Sequence, residues 1–545
     1  MIRALNKKID RLEKIDYILI SVLMLIYGIF SFINLGDTKS INTFKRSDPH
    51  ATYIIELNDE TIVDKIKLFQ GEKASNYTIY ISNDGIEFDY LISKEKVKEF
   101  YWDMLKIRAN TKYIKIDFPK KSSLGEIGIY SKDKLLKPTT VKLNNKIVKE
   151  VIDEQNLIPE KTTYMNSTYF DEIYFARTAY EYVNNLELYE WTHPPLGKLI
   201  QAIPIYITKY MSPFNYRLMG NIAGIILLAI MYIYGIILFK KRKYGICAAG
   251  LMMLDTFHFA HSRMGTIDTY LVIFVSLSIL FMYLFITKEK HRYLLLSGLF
   301  FGLSACIKWT GLYQAPVLCI MYFKYLITNK KINFKFLSLG TLYFVIIPVL
   351  LYTSIFLIFS NNYYKTNNIK NIIKETELMY NYHSKLKDDH FYSSKWYTWP
   401  ISYKPVLYYK EANSNYMHGT ISGVGNIIIW ILGIVGVFYT LIKYIYKRDD
   451  KYLLLILAIL SLWLPYMFIN RVMFLYHYFP VLPFIFLALL NMLVDLNDEY
   501  NIKSVLPTVF ILAALFFITY YPVISGLEIN NNYAERLQIF KSWIF

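Results

Sequence analysis

Two adjacent carboxylates, Asp171 and Glu172, precede the segment Trp191-Thr192-His193-Pro194-Pro195 by about twenty residues. A carboxylate within hydrogen-bonding reach of a hydroxyl group can take its proton as the oxygen attacks, so either residue could act as a general base. Acidic residues also favour the first turn of a helix, where the helix dipole is positive. His193-Pro194-Pro195 could likewise be only a rigid turn that enters the next helix.

Three single cations, Arg263, Lys308 and Arg471, lie between apolar stretches farther along the chain. Such cations stabilise the charge that develops on a phosphate leaving group, Arg through two hydrogen bonds and Lys as a point charge. The alternative is that each cation only anchors the edge of an apolar stretch, with Trp309 as part of an aromatic belt. Together with the acidic pair, the three cations predict a site that breaks a sugar-phosphate bond.

His383 and His390 lie seven residues apart, close to Asp388 and Asp389. Imidazole and carboxylate groups can bind a metal ion, but these four residues lack the compact spacing of an established metal motif. The sequence therefore predicts no metal site and leaves a metal requirement undecided.

The composition is typical of a multi-span membrane protein, with 545 residues of which 54% are hydrophobic. Residues 37–170 are polar, whereas most of the remainder forms apolar runs of about twenty residues, long enough to cross about 30 Å of hydrocarbon. The net charge of +17 comes largely from short basic loops between these runs. Membrane lipids, and no nucleic acid, are therefore the expected partners of this charge.

The basic loops also predict the topology, because such loops stay on the cytoplasmic side. We expect a cytoplasmic N-terminus at 1–16, a retained first transmembrane helix at 17–36, and about 11 transmembrane helices in all. Residues 197–211 form an apolar segment too short to span, which predicts an interfacial helix. This topology places the acidic pair, the three cations, His193, His477 and the loop 359–420 on the outer side.

Residues 40–150 alternate like β-strands, with runs that start at 53, 66, 77, 113 and 126 and a turn signal at Asn83-Asp84-Gly85. They predict an extracytoplasmic all-β sandwich. The run NYTIYISNDGIEFDYL, followed by YIKI and GEIGIY, resembles the discoidin fold, a jelly roll that often binds glycans. The resemblance implies a glycan ligand; a spacer or packing domain with no ligand is the alternative.

A transferase at the outer face has no supply of nucleotide sugars. Its donor must come from the membrane, and a sugar on a polyprenyl phosphate fits this requirement. Phosphate is already a good leaving group, so one carboxylate as the base is sufficient.

Six segments resemble the protein O-mannosyltransferase family in content and order, from about residue 170 to the C-terminus. They are DEIYFARTAYEY at 171, EWTHPPLGK at 190, HFAHSRMGTIDTYL at 258, GLSACIKWTGLY at 302, YHSKLKDDHFYSSKWYTWP at 382 and NRVMFLYHYFPVLPF at 470. Eukaryotic members carry a β-trefoil module in the large outer loop, and 359–420 is too short for one.

The resemblance implies a GT-C-like membrane domain at 165–545, with an outer catalytic loop at 165–211 and the outer loop at 359–420. It implies inverting transfer of a sugar, commonly mannose, from polyprenyl or dolichyl phosphate to Ser or Thr of an exported protein, with no further cofactor predicted. Transfer to a lipid or cell-wall glycan is one alternative. A glycan-binding transporter or adhesin is another, although the sequence has no internal repeat of the kind common in transporters.

The resemblance also implies residue roles. Asp171 is favoured over Glu172 as the base. The residues expected to bind the donor phosphate are Arg263, Lys308 and Arg471. The residues that support the substrate site are Trp191, His193, Asp268, Trp309, His383, His390, Tyr476 and His477.

Overall fold

The computed structural model describes residues 12–359, 368–386, 389–412 and 416–545. The basic residues before 12 and Asp388 lie outside these ranges. The chain forms two compact units. We call residues 34–189 and 201–218 the β unit, and Met1–Ile33, Glu190–Ile200 and Met219–Phe545 the helical unit.

The β unit contains nine antiparallel strands in one hydrogen-bonded network with the central order β1-β6-β2-β5-β3-β4. The strands are β1 (Lys45–Ser47), β2 (Ala51–Gln70), β3 (Tyr77–Ser82), β4 (Asp89–Lys94), β5 (Tyr101–Phe118), β6 (Ser122–Ser131), β7 (Lys134–Leu136), β8 (Thr140–Leu143) and β9 (Lys146–Ile147). The specific likeness to discoidin stays a prediction.

The two predicted runs at 53 and 66 belong to one long strand, β2. Its pairing register with β5 shifts between Glu56 and Thr61, so the first part of β2 pairs with β8 and the last part with β6. Alternation in the first part buries Tyr53 and Ile55, as expected for a strand with one face in the core. The two runs that the sequence pattern separates are thus one strand, whose pairing with β5 is irregular near its middle.

The turn at Asn83-Asp84-Gly85 joins β3 to β4, as predicted. Gly85 has a φ of +75°, a region that glycine occupies at little cost. The Asp84 carboxylate accepts hydrogen bonds from the backbone N–H groups of Ile86 at 2.8 Å and Glu87 at 3.1 Å. The side chain of Asp84 therefore stabilises the turn.

A second core of the β unit joins strands to helical segments. Phe69 and Trp102, whose ring centroids are 5.0 Å apart, pack with Tyr180, Met211 and their neighbours. This packing places residues 165–189 in the β unit, whereas the sequence had grouped them with the membrane domain.

Seventeen α-helices lie in the described residues. They are α1 (Lys14–Phe32), α2 (Glu172–Val183), α3 (Leu196–Thr208), α4 (Pro213–Phe239), α5 (Arg242–Met253), α6 (Thr256–Ser262), α7 (Asp268–Lys288), α8 (His291–Ala305), α9 (Ala315–Thr328), α10 (Phe334–Thr341), α11 (Ile347–Phe359), α12 (Ile369–Lys385), α13 (Ile427–Lys447), α14 (Asp450–Trp463), α15 (Leu482–Asp498), α16 (Val505–Ser525) and α17 (Asn531–Arg536). Single 3₁₀ turns cover Gln155–Leu157, Trp309–Gln314, Trp396–Ile401, Leu464–Phe468 and Leu475–Val481, and a π turn at Leu342–Ile346 joins α10 to α11.

The helical unit also contains a three-stranded antiparallel sheet, and its strands are β10 (Val406–Ala412), β11 (Met417–Gly423) and β12 (Glu528–Asn530).

Within the described ranges, eight helical segments are long and apolar enough to cross a membrane. They are Lys14–Phe32, Pro213–Phe239, Asp268–Lys288, Phe334–Phe359, Ile427–Lys447, Asp450–Phe468, Leu475–Asp498 and Val505–Ser525. The protein is therefore a multi-span helical membrane protein, and the total of eleven spans stays a prediction. The segment predicted to be an interfacial helix forms α3, which is apolar and 13 residues long, and its place at a membrane interface stays a prediction.

Buried charges hold the start of α1 within the helical unit. Arg242 donates from Nε to the Asp16 carboxylate at 2.9 Å, and the Tyr232 hydroxyl donates to the same carboxylate at 2.9 Å. Asp16 and Arg242 are both almost fully buried, and a buried charge requires such pairing. The first helix is thus a packed element of this unit.

We expect Trp102→Ala to destabilise the protein by about 3–5 kcal/mol, because it leaves a cavity between Phe69 and Tyr180. Tyr90→Ala is the matched control, since Tyr90 is 64% exposed. The thermal unfolding midpoint of the purified full-length protein should fall clearly for Trp102→Ala and little for Tyr90→Ala. Equal midpoints for the two variants would contradict the shared core.

Candidate active site

A buried ion pair shapes the turn that carries His193. Lys198, in the first turns of α3, donates to the Glu190 carboxylate at 2.5 Å and to the His193 carbonyl at 2.8 Å. Gly197 is required beside it, because a Cβ atom there would lie 2.7 Å from the Ile267 side chain. The residues of EWTHPPLGK therefore form one rigid turn, which was one of the two interpretations of His193-Pro194-Pro195.

The same carboxylate orients His193. Nδ1 of His193 lies 2.9 Å from Oε1 of Glu190, which also accepts from the Thr192 hydroxyl. Although burial opposes ionisation, the charge of Lys198 and the hydrogen bonds from His193 and Lys198 hold the pKa of Glu190 well below its usual range. Glu190 is therefore a carboxylate, and the neutral His193 ring carries its proton on Nδ1.

A second histidine joins this turn to another connector. Arg471 donates from Nη1 to Nδ1 of His383 at 2.6 Å, and Nε2 of His383 donates to the Thr192 carbonyl at 2.7 Å. Because Arg can only donate, His383 is a neutral ring protonated on Nε2. Burial, and after it the neighbouring His193 and Arg471, lower the pKa of His383 to about 4, in agreement with this tautomer.

Lys308 belongs to a buried polar chain. Its ammonium group donates to Oδ1 of Asp268 at 2.7 Å, and Oδ2 of Asp268 lies 3.6 Å from Nε2 of His261. Nδ1 of His261 is 2.9 Å from the Tyr408 hydroxyl. Lys308 also lies 5.6 Å from the centroid of the Tyr476 ring. Several elements thus restrict the position of this ammonium group.

Aromatic rings connect the two cations. Trp309 follows Lys308 in sequence, and its ring centroid lies 6.1 Å from that of His383, which Arg471 contacts. Tyr476 stacks on His477 at 4.7 Å. Lys308 and Arg471 therefore both lie beside the same cluster of aromatic and histidine rings.

Two other predicted supporting residues pack at the edge of this group. Trp191 contacts the Tyr382 ring at 5.7 Å, and the exposed His390 contacts the Phe474 ring at 5.0 Å.

In the described part of the chain, the residues close enough to share a metal ion are Glu126, Asp153 and Glu154 of the β unit.

The third predicted cation, Arg263, has different neighbours. It is buried, and its guanidinium group donates to the carbonyl of Ser31 at 3.0 Å and to that of Ile33 at 2.6 Å. These carbonyls end α1, where a cation interacts favourably with the helix dipole. Arg263 thus holds the end of the first helix, and its contact with phosphate stays a prediction.

The acidic pair lies in the β unit, and its two members have different environments. Glu172 is 0% exposed and receives two hydrogen bonds from Arg217, each 2.7 Å long. Arg217 also donates to the carbonyls of Leu35 and Tyr164. Asp171 precedes α2, is partly exposed, and makes no side-chain capping hydrogen bond. Both carboxylates lie at the start of α2, where the helix dipole is positive, so the choice between this role and catalysis stays a prediction.

The sequence analysis missed five polar residues that organise these groups: Glu190, Lys198, Arg217, His261 and Tyr408. A usable signal existed for three of them. Glu190 and Lys198 are opposite charges that flank an apolar turn, and Arg217 opens an apolar span where a charge is costly. His261 and Tyr408 meet only through tertiary packing.

The Lys308–Asp268 pair should behave as a buried unit. Lys308→Met or Asp268→Asn alone should destabilise by about 3–5 kcal/mol, because each leaves an uncompensated partner. The double substitution should cost less than the sum. Thermal unfolding of the four proteins measures this, and the partly exposed Lys45–Glu150 pair is the control, with a coupling below about 1 kcal/mol. Additive effects at Lys308 and Asp268 would contradict the pairing.

Comparison with known proteins agrees with this architecture. Residues 192–359 match the family model described as dolichyl-phosphate-mannose-protein mannosyltransferase. Residues 368–543 match the model of the C-terminal four TMM region of protein-O-mannosyltransferase. The two matches together span most of the helical unit.

Curated relatives carry the same description. A polyprenol-phosphate-mannose-protein mannosyltransferase of Mycolicibacterium smegmatis is 22% identical over 453 residues, which cover 69% of this chain and 87% of that protein. One from Corynebacterium glutamicum is 22% identical over 427 residues, which cover 64% and 81%.

A solved structure shows the fold. The S. cerevisiae protein O-mannosyltransferase Pmt1-Pmt2 complex bound to the sugar donor matches with a TM-score of 0.61 at 13% identity, covering 69% of this chain and 89% of that chain. The fold and the matched segments lead to one conclusion: this chain belongs to the protein O-mannosyltransferase family, a group of membrane glycosyltransferases with the GT-C fold.

Proposed function

We propose that this protein transfers mannose from a polyprenyl phosphate to Ser or Thr hydroxyl groups of exported proteins. The observation that carries the proposal is the group formed by Lys308, Arg471 and the rings between them. Two restrained cations suit the phosphate of a lipid-linked donor. The choice of mannose and of a protein acceptor rests on the names of the relatives.

In this proposal Lys308 and Arg471 bind the donor phosphate. The acceptor oxygen attacks C1 of the sugar, the bond from C1 to the phosphate oxygen breaks, and its electron pair stays on the phosphate. The two cations stabilise this growing negative charge. Asp268 and His383 hold the cations in place, so little reorganisation is needed during the reaction.

Asp171 is the proposed base that takes the proton of the acceptor hydroxyl. Its partial exposure suits a residue that meets a substrate, whereas Glu172 is engaged by Arg217 and acts as a positioning residue. Attack from the side opposite the phosphate inverts the configuration at C1, as in the sequence-based hypothesis.

The proposed location is the cell membrane, with the N-terminus cytoplasmic and the catalytic connectors and β unit outside. The support is the distribution of cations. Lys240 and Lys241 form the connector between α4 and α5, and Lys447 ends α13, whereas the connectors at 306–314 and 464–481 each carry one Lys or Arg.

A glycan contact of the β unit is a further part of the proposal. Tyr90 lies 6.1 Å from Tyr80, and the Lys115 ammonium group lies 4.2 Å from the Tyr80 ring centroid. Exposed aromatic faces attract the C–H groups of sugar rings. Tyr80→Ala with Tyr90→Ala should reduce retention of the purified protein on insoluble mannan. Unchanged retention would favour the alternative of a packing domain.

Asp171→Asn tests the base, because it preserves shape and removes proton-accepting ability. Transfer from radiolabelled polyprenyl-phosphate mannose to a Ser/Thr-rich peptide should fall by about 10²–10⁴-fold in kcat. The exposed Asp89→Asn variant should keep wild-type transfer. Full activity of a folded Asp171→Asn protein would exclude this role, and label recovered only in lipid would indicate a lipid acceptor.

Arg471→Met tests the phosphate contact. Loss of a charged hydrogen bond of about 1.5–3 kcal/mol should weaken donor use about 10- to 100-fold. We expect this loss in the KM for donor or in kcat, with the KM for acceptor unchanged. Arg292→Met, at an exposed arginine, is the control. An effect on acceptor KM alone would contradict the assignment.

A further inference from the structure

His193 lies where charged groups from three connectors meet. Glu190 and Lys198 belong to its own turn, Lys308 is close enough for its charge to act on His193, and the His383 ring lies 5.3 Å away. Arg471 contacts His383 from a third connector. His193 is therefore a neighbour of Lys308, and it is linked to Arg471 through the His383 ring.

The Glu190 contact determines what His193 can do. With its Nδ1 proton donated to the Glu190 carboxylate, Nε2 of the neutral ring is an acceptor, and a second proton on Nε2 would make the ring an imidazolium. A carboxylate at 2.9 Å stabilises that imidazolium. Lys198 keeps the carboxylate in place.

Without a ligand the ring stays neutral. Burial lowers the pKa of His193, Glu190 opposes this shift, and the charges of Lys308 and Lys198 add to it. A dianionic phosphate placed beside Lys308 would oppose the effect of Lys308 and Lys198, because its negative charge raises the pKa of His193. The charge state of His193 thus depends on whether a phosphate is bound.

We propose that His193 is a proton-linked phosphate ligand, which takes a proton on Nε2 and donates it in a hydrogen bond to a non-bridging phosphate oxygen of the polyprenyl phosphate product. This inference rests on the proposed function, because it uses the phosphate site of Lys308 and Arg471.

The chemistry of the two lipids explains why such a ligand helps. The donor is a phosphate diester with one negative charge, and the product is a monoester that carries close to two at neutral pH. A cation formed as the second charge develops stabilises the product-like state more than the donor-bound state. Only such differential stabilisation accelerates the chemical step.

The protons balance without another reactant. The acceptor hydroxyl proton goes to Asp171, which releases it to the solvent after the transfer, and the proton on His193 is taken up from the solvent, to which its side chain is 20% exposed. Release of the polyprenyl phosphate returns the His193 proton to water. Product binding therefore includes net proton uptake by the protein.

Titration calorimetry of the full-length protein in detergent tests this, with a short-chain polyprenyl phosphate as the probe. Measurements at pH 7.5 in two buffers with different ionisation enthalpies give the number of protons taken up. We expect the wild-type protein to take up more protons than His193→Asn, by up to one. The Asn amide can keep the Glu190 hydrogen bond but cannot titrate. The methyl ester of the same lipid, which carries one charge, should show a much smaller difference.

His193→Gln provides a second variant, because its amide can still donate to phosphate from the Nε2 position. It should bind the probe with a pH dependence that reflects only the titration of the phosphate. Equal proton uptake in the wild-type protein and both variants would overturn the role of His193 and leave the proposed transferase standing. If the wild-type protein transfers sugar but does not bind the probe, the inference also fails. Absence of both transfer and binding would reject the proposed function with it.

Discussion

The buried ion pair between Lys198 and Glu190 is the interaction on which the candidate site depends. It ties the first turns of α3 to the turn before them, and the same carboxylate selects the tautomer of His193. The Thr192 carbonyl of this turn then accepts from His383, which in turn accepts from Arg471. One desolvated pair thus orders its own turn, His383 of α12 and Arg471, and removing either charge would leave the other buried and unpaired.

Each proposed phosphate-binding cation already has a partner in the described structure. Asp268 holds Lys308, and the neutral His383 holds Arg471. The two partners differ in charge, so the cations differ in what they offer a phosphate. Lys308 is half of a neutralised pair, whereas Arg471 keeps its full charge on a neutral acceptor. The site proposed for a dianionic product therefore has a modest excess of positive charge. Proton uptake by His193 would increase that excess only while the dianionic phosphate is bound.

The two neighbouring carboxylates of the acidic pair have different environments in the β unit. Glu172 and Arg217 form a buried bidentate pair that also gathers backbone carbonyls of the β unit. Such a pair specifies local geometry at a high desolvation cost. Asp171, one residue earlier, is partly exposed before α2. The β-strand core that packs on α2 therefore supports the segment that presents Asp171.

The sequence by itself determined the membrane class, the β-strand runs, the turn at Gly85 and the family, because hydrophobic length, alternation and motif order are local properties. It also singled out Lys308, Arg471 and His193 as candidate residues and favoured Asp171 over Glu172 as the base. It could not place Arg263 on the end of α1 or find His261 and Tyr408. Those outcomes depend on which distant groups share a buried space, since the environment of an ionisable side chain is set by burial and by partners far away in sequence. Only the tertiary structure brings those partners together.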